Sequence, residues 1–321
     1  MASDPALIQS IFLSKSEGKS QGFYSVALCK NGVFSEIVVD DNFPKLKNKL
    51  QLCSSDKDSS CLWPLIAEKA YAKLYGSYAY IGVEGFSSNA IYDFTGAPCL
   101  IIDLKELSRT AEGGDVAGAL KAKINEIGSK ILVGRHHNEG SFTILDVSGD
   151  TVVLRDPEGD NAAILENSKS MNNGAMKMAI TEFAAQFDAL TIGLYNPKAV
   201  LTQKAVPKKS VCLENLSCFE LSVSAGGTYW VSWHRADKRC VLGYPNPIRR
   251  TRITKMGLGG SMEGLEVIGL DERSNLIIFD QEGQLIGQSC SLYRDLSLKV
   301  TLKEGAKYFA YVRKIKFFDT F

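Results

Sequence analysis

The sequence predicts an α+β first half followed by an all-β sandwich, and three observations carry that expectation. Around residues 63–75 the apolar positions Leu62, Leu65, Ile66, Ala70 and Leu74 recur at helical spacing. Upstream, two β-rich runs flank Asn31-Gly32, the strongest short hairpin signal. From Val211 onward helix signals fade, and short β-rich runs alternate with turn residues at sandwich spacing.

Taken in order, residues 5–13 read as a short helix, with Pro5 suited to its first turn. Residues 23–28 and 33–39 form the hairpin strands, and Pro44 closes their neighbourhood. The helix over 63–75 stops before Gly76, as helices commonly do. Residues 115–127 read as helix; 130–133, 141–147 and 151–155 as strands, the last two joined by the turn Ser148-Gly149-Asp150. Residues 178–187 read as helix and 190–194 as strand. Between 196 and 210 the chain turns polar and basic, with Pro197, Pro207, Lys208 and Lys209 marking a linker. The later strands are expected at 219–223, 229–233, 264–270, 275–279, 296–302 and 308–312.

Composition narrows the class. The 321 residues suffice for two domains, and 45% hydrophobic with 23% charged residues is ordinary for a globular protein. A formal net charge of +1 gives no global field for nucleic acid. The eight cysteines contain no CxxC pair, no signal peptide opens the chain, no segment approaches a membrane span, and Ala2 excludes N-myristoylation. The expectation is a cytoplasmic protein with reduced thiols.

Several stretches in order resemble the papain-like protease core of calpains. Asn31-Gly32 followed by Ile37 to Pro44 is similar to a calpain hairpin ending in a double aspartate and a proline. The run from Trp63-Pro64-Leu65 to Tyr75-Gly76-Ser77-Tyr78 matches the family's helix motif almost residue for residue. Asp93-Phe94-Thr95-Gly96 matches the segment leading to the second protease subdomain, and residues 174–187 a later helix. Residues 230–239 resemble the calpain β-sandwich, a C2-like module. The flavour is closer to protist calpain-like proteins than to animal calpains. The resemblance implies a truncated protease core over 1–200, with its second subdomain from about 99, a linker at 201–210 and a sandwich over 211–321.

A papain-like protease needs a cysteine activated at a helix N-terminus, a histidine to accept the proton and an asparagine to orient the ring. In calpains the cysteine lies in Gly-x-Cys-Trp upstream of the hairpin; here the residues before Phe23 hold neither Cys nor Trp. Cys29 falls inside a strand and reads as core or edge. Family register places Gly140 at the histidine position and Asp156, in Arg155-Asp156-Pro157-Glu158-Gly159, at the asparagine position. His136 and His137 are nearby substitutes, expected as exposed loop residues, because a register shift would turn a strand over. Calcium is the one cofactor the family implies. Its candidate ligands are Asp156, Glu158 and Asp160, while Cys61 stands where a calpain has an acidic ligand, and no EF-hand spacing occurs.

Gly257-Leu258-Gly259-Gly260 lacks a following helix and makes no phosphate cradle. Arg249, Arg250, Arg252 and Lys255 offer a peripheral phospholipid or acidic-protein contact. The expectation is a catalytically inactive calpain-like binding, scaffolding or regulatory protein. Its partners would be cytoskeletal proteins or other calpain-like chains. The alternative is one portion of a calcium-dependent cysteine endopeptidase whose nucleophile comes from another polypeptide or a longer gene product.

Overall fold

The computed structural model describes residues 5–13, 22–30, 32–46, 49–50, 61–82, 86–127, 131–137, 140–157, 168–171, 174–199, 216–234, 272–291 and 294–316. The chain opens with α1 (Pro5–Ile11), the antiparallel strands β1 (Phe23–Lys30) and β2 (Val33–Asp40), and a short pair β3 (Lys45–Leu46) and β4 (Lys49–Leu50). Three helices follow: α2 (Trp63–Tyr75), α3 (Tyr78–Ile81) and α4 (Ser87–Thr95). In α2, Pro64 occupies the first turn, where its missing N–H is no loss. Gly76 ends the helix at φ +101°, and its N–H donates to the Lys73 carbonyl at 3.2 Å. Ile66, Ala67 and Ala70 of α2 pack on Val26, Leu28 and Val39 of the hairpin. Leu62, expected on the apolar face, instead caps α2 and is exposed. The first helix also stops earlier than expected, because Phe12 leaves it to bridge Val26.

Next come β5 (Cys99–Asp103), α5 (Leu104–Thr110), a 3-10 turn, α6 (Val116–Ile127), β6 (Ile131–His136), β7 (Gly140–Ser148), β8 (Thr151–Arg155), β9 (Lys169–Ser170), β10 (Ala175–Ala179), α7 (Ile180–Gln186) and β11 (Phe187–Gly193). The strands form one antiparallel sheet in the order β5-β11-β6-β7-β8-β10-β9. Asp103 caps α5 by accepting the Glu106 N–H at 2.9 Å, and Asp115 likewise takes the Gly118 N–H at 2.8 Å. Leu104, Leu120, Ile180 and Phe183 bring the three helices onto one sheet face, against Leu132, Ile144, Leu154 and Leu190. The helix expected over 178–187 is corrected at both ends. Met176 and Met178 are buried while Lys177 is exposed, a period of two that belongs to β10; Phe187 already opens β11.

Among the described residues, the remaining elements are all strands: β12 (Leu216–Ser222), β13 (Gly227–His234), β14 (Glu272–Asp280), β15 (Leu285–Ser291), β16 (Asp295–Leu302) and β17 (Lys307–Lys316). They pair as β12-β17-β14-β15 and β13-β16. Leu276, Ile278, Leu296, Val300, Ala310 and Val312 fill the core between the two sheets. Sandwich strands alternate inward and outward residues, and β16 shows it with buried Leu296, Val300 and Leu302. The strand expected at 264–270, the basic run at 249–255, the glycine run at 257–260 and most of the linker lie outside the described residues.

Candidate active-site seam

The positions expected for histidine and asparagine meet at one end of the seven-stranded sheet. Gly140 opens β7 opposite His136 of β6, and Thr143 of β7 pairs with Arg155 of β8, so Asp156 lies at the same end. That end abuts the first turn of α4. The Ser141 and Ser87 hydroxyls are 3.2 Å apart, and the Arg135 guanidinium lies 5.8 Å from the Phe86 ring centroid. This seam joins the helical unit to the sheet, where a papain-like cleft is expected.

Among the described residues the seam offers the following groups. Gly140 is exposed at φ +88°, a conformation that side-chain-bearing residues avoid. A β-carbon there would meet only open space, so the obstacle to a histidine is the backbone and not a neighbour. Asp156 is buried, and its N–H donates to the Gly174 carbonyl at 3.2 Å. His136 is not the expected loop residue: it ends β6, half-buried, with its ring 5.2 Å from Phe187 and 6.2 Å from Phe142, both edge-on. His137 is also tied down. Its Nδ1 lies 2.7 Å from Asp188, which also pairs with Lys105 at 2.8 Å, and its Nε2 is 3.2 Å from the Ala185 carbonyl. Both ring nitrogens are therefore engaged with α7 and the start of β11.

Two of the described cysteines, Cys29 and Cys99, lack the setting of an activated nucleophile. A catalytic thiol has its pKa lowered by a helix N-terminus or a cation. Cys29 is fully buried in β1, and burial pushes its thiol up despite a hydrogen bond with Tyr92. Burial raises the Cys99 thiol as well, and it donates to the Ser88 and Ala97 carbonyls at 3.6 and 3.7 Å. Cys61 precedes α2 half-exposed, whereas Cys218 and Cys290 are exposed on β12 and β15. Of the calcium candidates, Glu158 and Asp160 lie outside the described residues. Among the described residues no group of three His, Cys, Asp or Glu side chains is placed to hold a metal ion.

Sequence reasoning missed a second polar cluster altogether. Arg294, in the turn before β16, reaches Asp93 of α4 with Nη2 to Oδ1 at 3.0 Å and Nη1 to Oδ2 at 3.3 Å. Nη1 also donates to the Tyr75 hydroxyl at 2.9 Å, and Nε and Nη2 bind Asp295 at 2.9 and 2.6 Å. Asp295 in turn lies 2.9 Å from His234 Nδ1, and the His234 ring stacks on Tyr92 at 4.1 Å. In the sequence, Asp93 was visible only as part of a family motif, and no spacing rule links it to Arg294.

Helical unit, antiparallel sheet and the seam between them define a cysteine-protease-type core, followed by a β-rich region. Residues 1–140 match the model of the calpain family cysteine proteases. Mouse calpain-5 is 31% identical over 130 residues, covering 40% of this chain and 18% of that protein. Rat calpain-8 is 26% identical over 256 residues, covering 66% and 35%. The calpain-type cysteine protease DEK1 of Zea mays is 38% identical over 90 residues, covering 28% and 4%. The N-terminal part of the chain is thus similar to calpain family cysteine proteases. It spans less than a fifth of mouse calpain-5 and about a third of rat calpain-8.

Proposed function

We propose that this chain is a catalytically silent calpain relative that works by binding other proteins as a scaffold or regulator. Gly140 carries the reading: the residue expected to be the proton acceptor is a glycine whose backbone, at φ +88°, disfavours any side chain. Support comes from His136 and His137, held by aromatic packing and by Asp188, and from the raised thiols of Cys29 and Cys99. Asp156, at the position expected for the orienting amide, is buried, with its N–H held by the Gly174 carbonyl. The partners in this reading are cytoplasmic proteins, cytoskeletal ones or other calpain-like chains among them. Calcium or a phospholipid surface would be an accessory ligand, calcium through Asp156, Glu158 and Asp160.

The partial coverage of its relatives favours a second reading, in which the chain is one portion of a calcium-dependent endopeptidase completed by a nucleophile from elsewhere. Incubation of the purified chain with casein and a fluorogenic calpain peptide, with and without calcium, separates the two. The first reading expects no turnover. Turnover lost on substitution of one of its own cysteines sinks it. Turnover that arises only with a co-purifying, cysteine-bearing polypeptide favours the second reading.

A further inference from the structure

We infer that the outer edge of β2 is a docking edge for an extended, basic segment of another protein, which adds to the hairpin as a third strand. The backbone geometry comes first. Ser25 of β1 stands opposite Val38 of β2. The Ser25 carbonyl accepts the Leu13 N–H at 2.9 Å on one side of the hairpin, and the Val38 carbonyl accepts Lys73 Nζ at 2.7 Å on the other. Both carbonyls therefore point away from the facing strand. In an antiparallel pair this orientation recurs at every second residue. The N–H and C=O groups of Glu36 and Phe34 thus also point outward, and among the described residues no strand pairs with them.

Native sheets protect such edges with a proline, a lysine, a bulge or a cover. β2 runs eight residues in unbroken register, Val-Phe-Ser-Glu-Ile-Val-Val-Asp, with none of the first three. Lys73 covers one carbonyl near its end. The side chains of Phe34, Glu36 and Val38 share a face, as alternate strand residues do. Phe34 and Val38 are 47% and 42% exposed. Beside Val38 lies a hollow of about 260 Å³, bounded by Phe23, Asp40, Lys69 and Lys73.

The chemistry of the edge selects its occupant. A third strand antiparallel to β2 sets alternate residues opposite Val38, Glu36 and Phe34. An apolar side chain opposite Val38 enters the hollow beside Phe23. A lysine or arginine opposite Glu36 meets an exposed carboxylate that has no ion pair among the described residues. A second apolar side chain covers Phe34. Another copy of this chain fits worse: full overlap of β2 with itself sets Glu36 opposite Glu36, and like charges directly opposite repel. The partner therefore carries an apolar, a basic and an apolar residue at alternate positions, held by main-chain hydrogen bonds and read through its side chains. The edge shares no residue with the seam, and its binding goes beyond the reading above: casein turnover by a chain that still binds here refutes catalytic silence alone.

Fluorescence polarisation of a labelled Thr-Val-Thr-Lys-Thr-Val-Thr peptide with the full chain tests this. Saturable binding is expected. Glu36→Lys, on an exposed side chain, should weaken it about tenfold and should bind the same peptide with glutamate for lysine about tenfold more tightly than the wild type does. Methylating the main-chain nitrogen of the peptide's lysine removes the N–H that donates to the Glu36 carbonyl and should abolish binding. That result needs no variant and stands whether or not Glu36→Lys folds. Binding that survives methylation, or that ignores the charge at residue 36, overturns the proposal, as does an absence of binding at millimolar peptide. A wild-type dimer in sedimentation velocity that Phe34→Asp dissolves overturns it too, since a second copy then holds the edge.

Discussion

Asp93 and Arg294 illustrate how much a single contact can weigh. Removing one member of a buried pair strands the other charge and typically costs about 3–5 kcal/mol, whereas an apolar pair of similar volume is close to neutral. Asp93→Ala should therefore destabilise the chain by about that amount in urea unfolding. The double variant Asp93→Leu/Arg294→Met should recover only part of it, because Asp295 then keeps His234 alone, and fully additive losses would show that Asp93 and Arg294 do not act as a pair. The thiols give a second residue-scale test. With burial raising Cys29 and Cys99, iodoacetamide at neutral pH should spare both in the folded chain while labelling the exposed Cys218 and Cys290. Rapid modification of Cys29 or Cys99, mapped by mass spectrometry, would mean that one of them is an activated nucleophile.

At the scale of elements, close approach sets the limits. Gly134 in β6 lies where a β-carbon would come within 2.9 Å of both Phe183 and Phe187. Gly134→Ala should overpack this site and cost about 1–3 kcal/mol, read as a lowered urea midpoint with an unchanged slope. The elements that could be read from the sequence were those with a local cause. The helix over 63–75 has its apolar stripe, its Pro64 and its Gly76, and the structure returns the same bounds. The strands at 141–147 and 151–155 alternate and share a Gly149 turn, and both are present. The boundary at 178–180 was missed because β10 runs straight into α7 with no glycine or proline between them. At the seam, family register led to the expectation that Gly140 and Asp156 stand at the histidine and asparagine positions. It could not show that His136 finishes a strand, since that depends on pairing with Gly140. The Asp93–Arg294 pair was out of reach for the same kind of reason: its partners are 201 positions apart, and only tertiary packing brings them together.

For the whole molecule, the buried carboxylates set the response to acid. Asp295 is buried, yet His234 and Arg294 hold its carboxyl below the ordinary range. A depressed carboxyl contributes stability above its unfolded pKa, about 3.9, and that contribution is lost as pH falls through its folded value. Asp40, Asp150 and Asp188 are also depressed, by Lys69, by Lys121, and by Lys105 with His137, but these pairs are more exposed and solvent screens them. Asp93 runs the other way. Burial pushes its carboxyl up despite Arg294, so the stability it contributes is lost as pH rises through its folded value. Below about pH 4 the loss at Asp295 therefore dominates, because among the depressed carboxyls it is the buried one. Asp295→Asn should lower stability at neutral pH and flatten the fall below about pH 4, followed by far-UV circular dichroism in urea. Because Asp295 also positions Arg294, the sandwich and α4 should loosen together across that window, in one transition. An Asp295→Asn profile parallel to that of the wild type would place the acid sensitivity in the surface pairs instead.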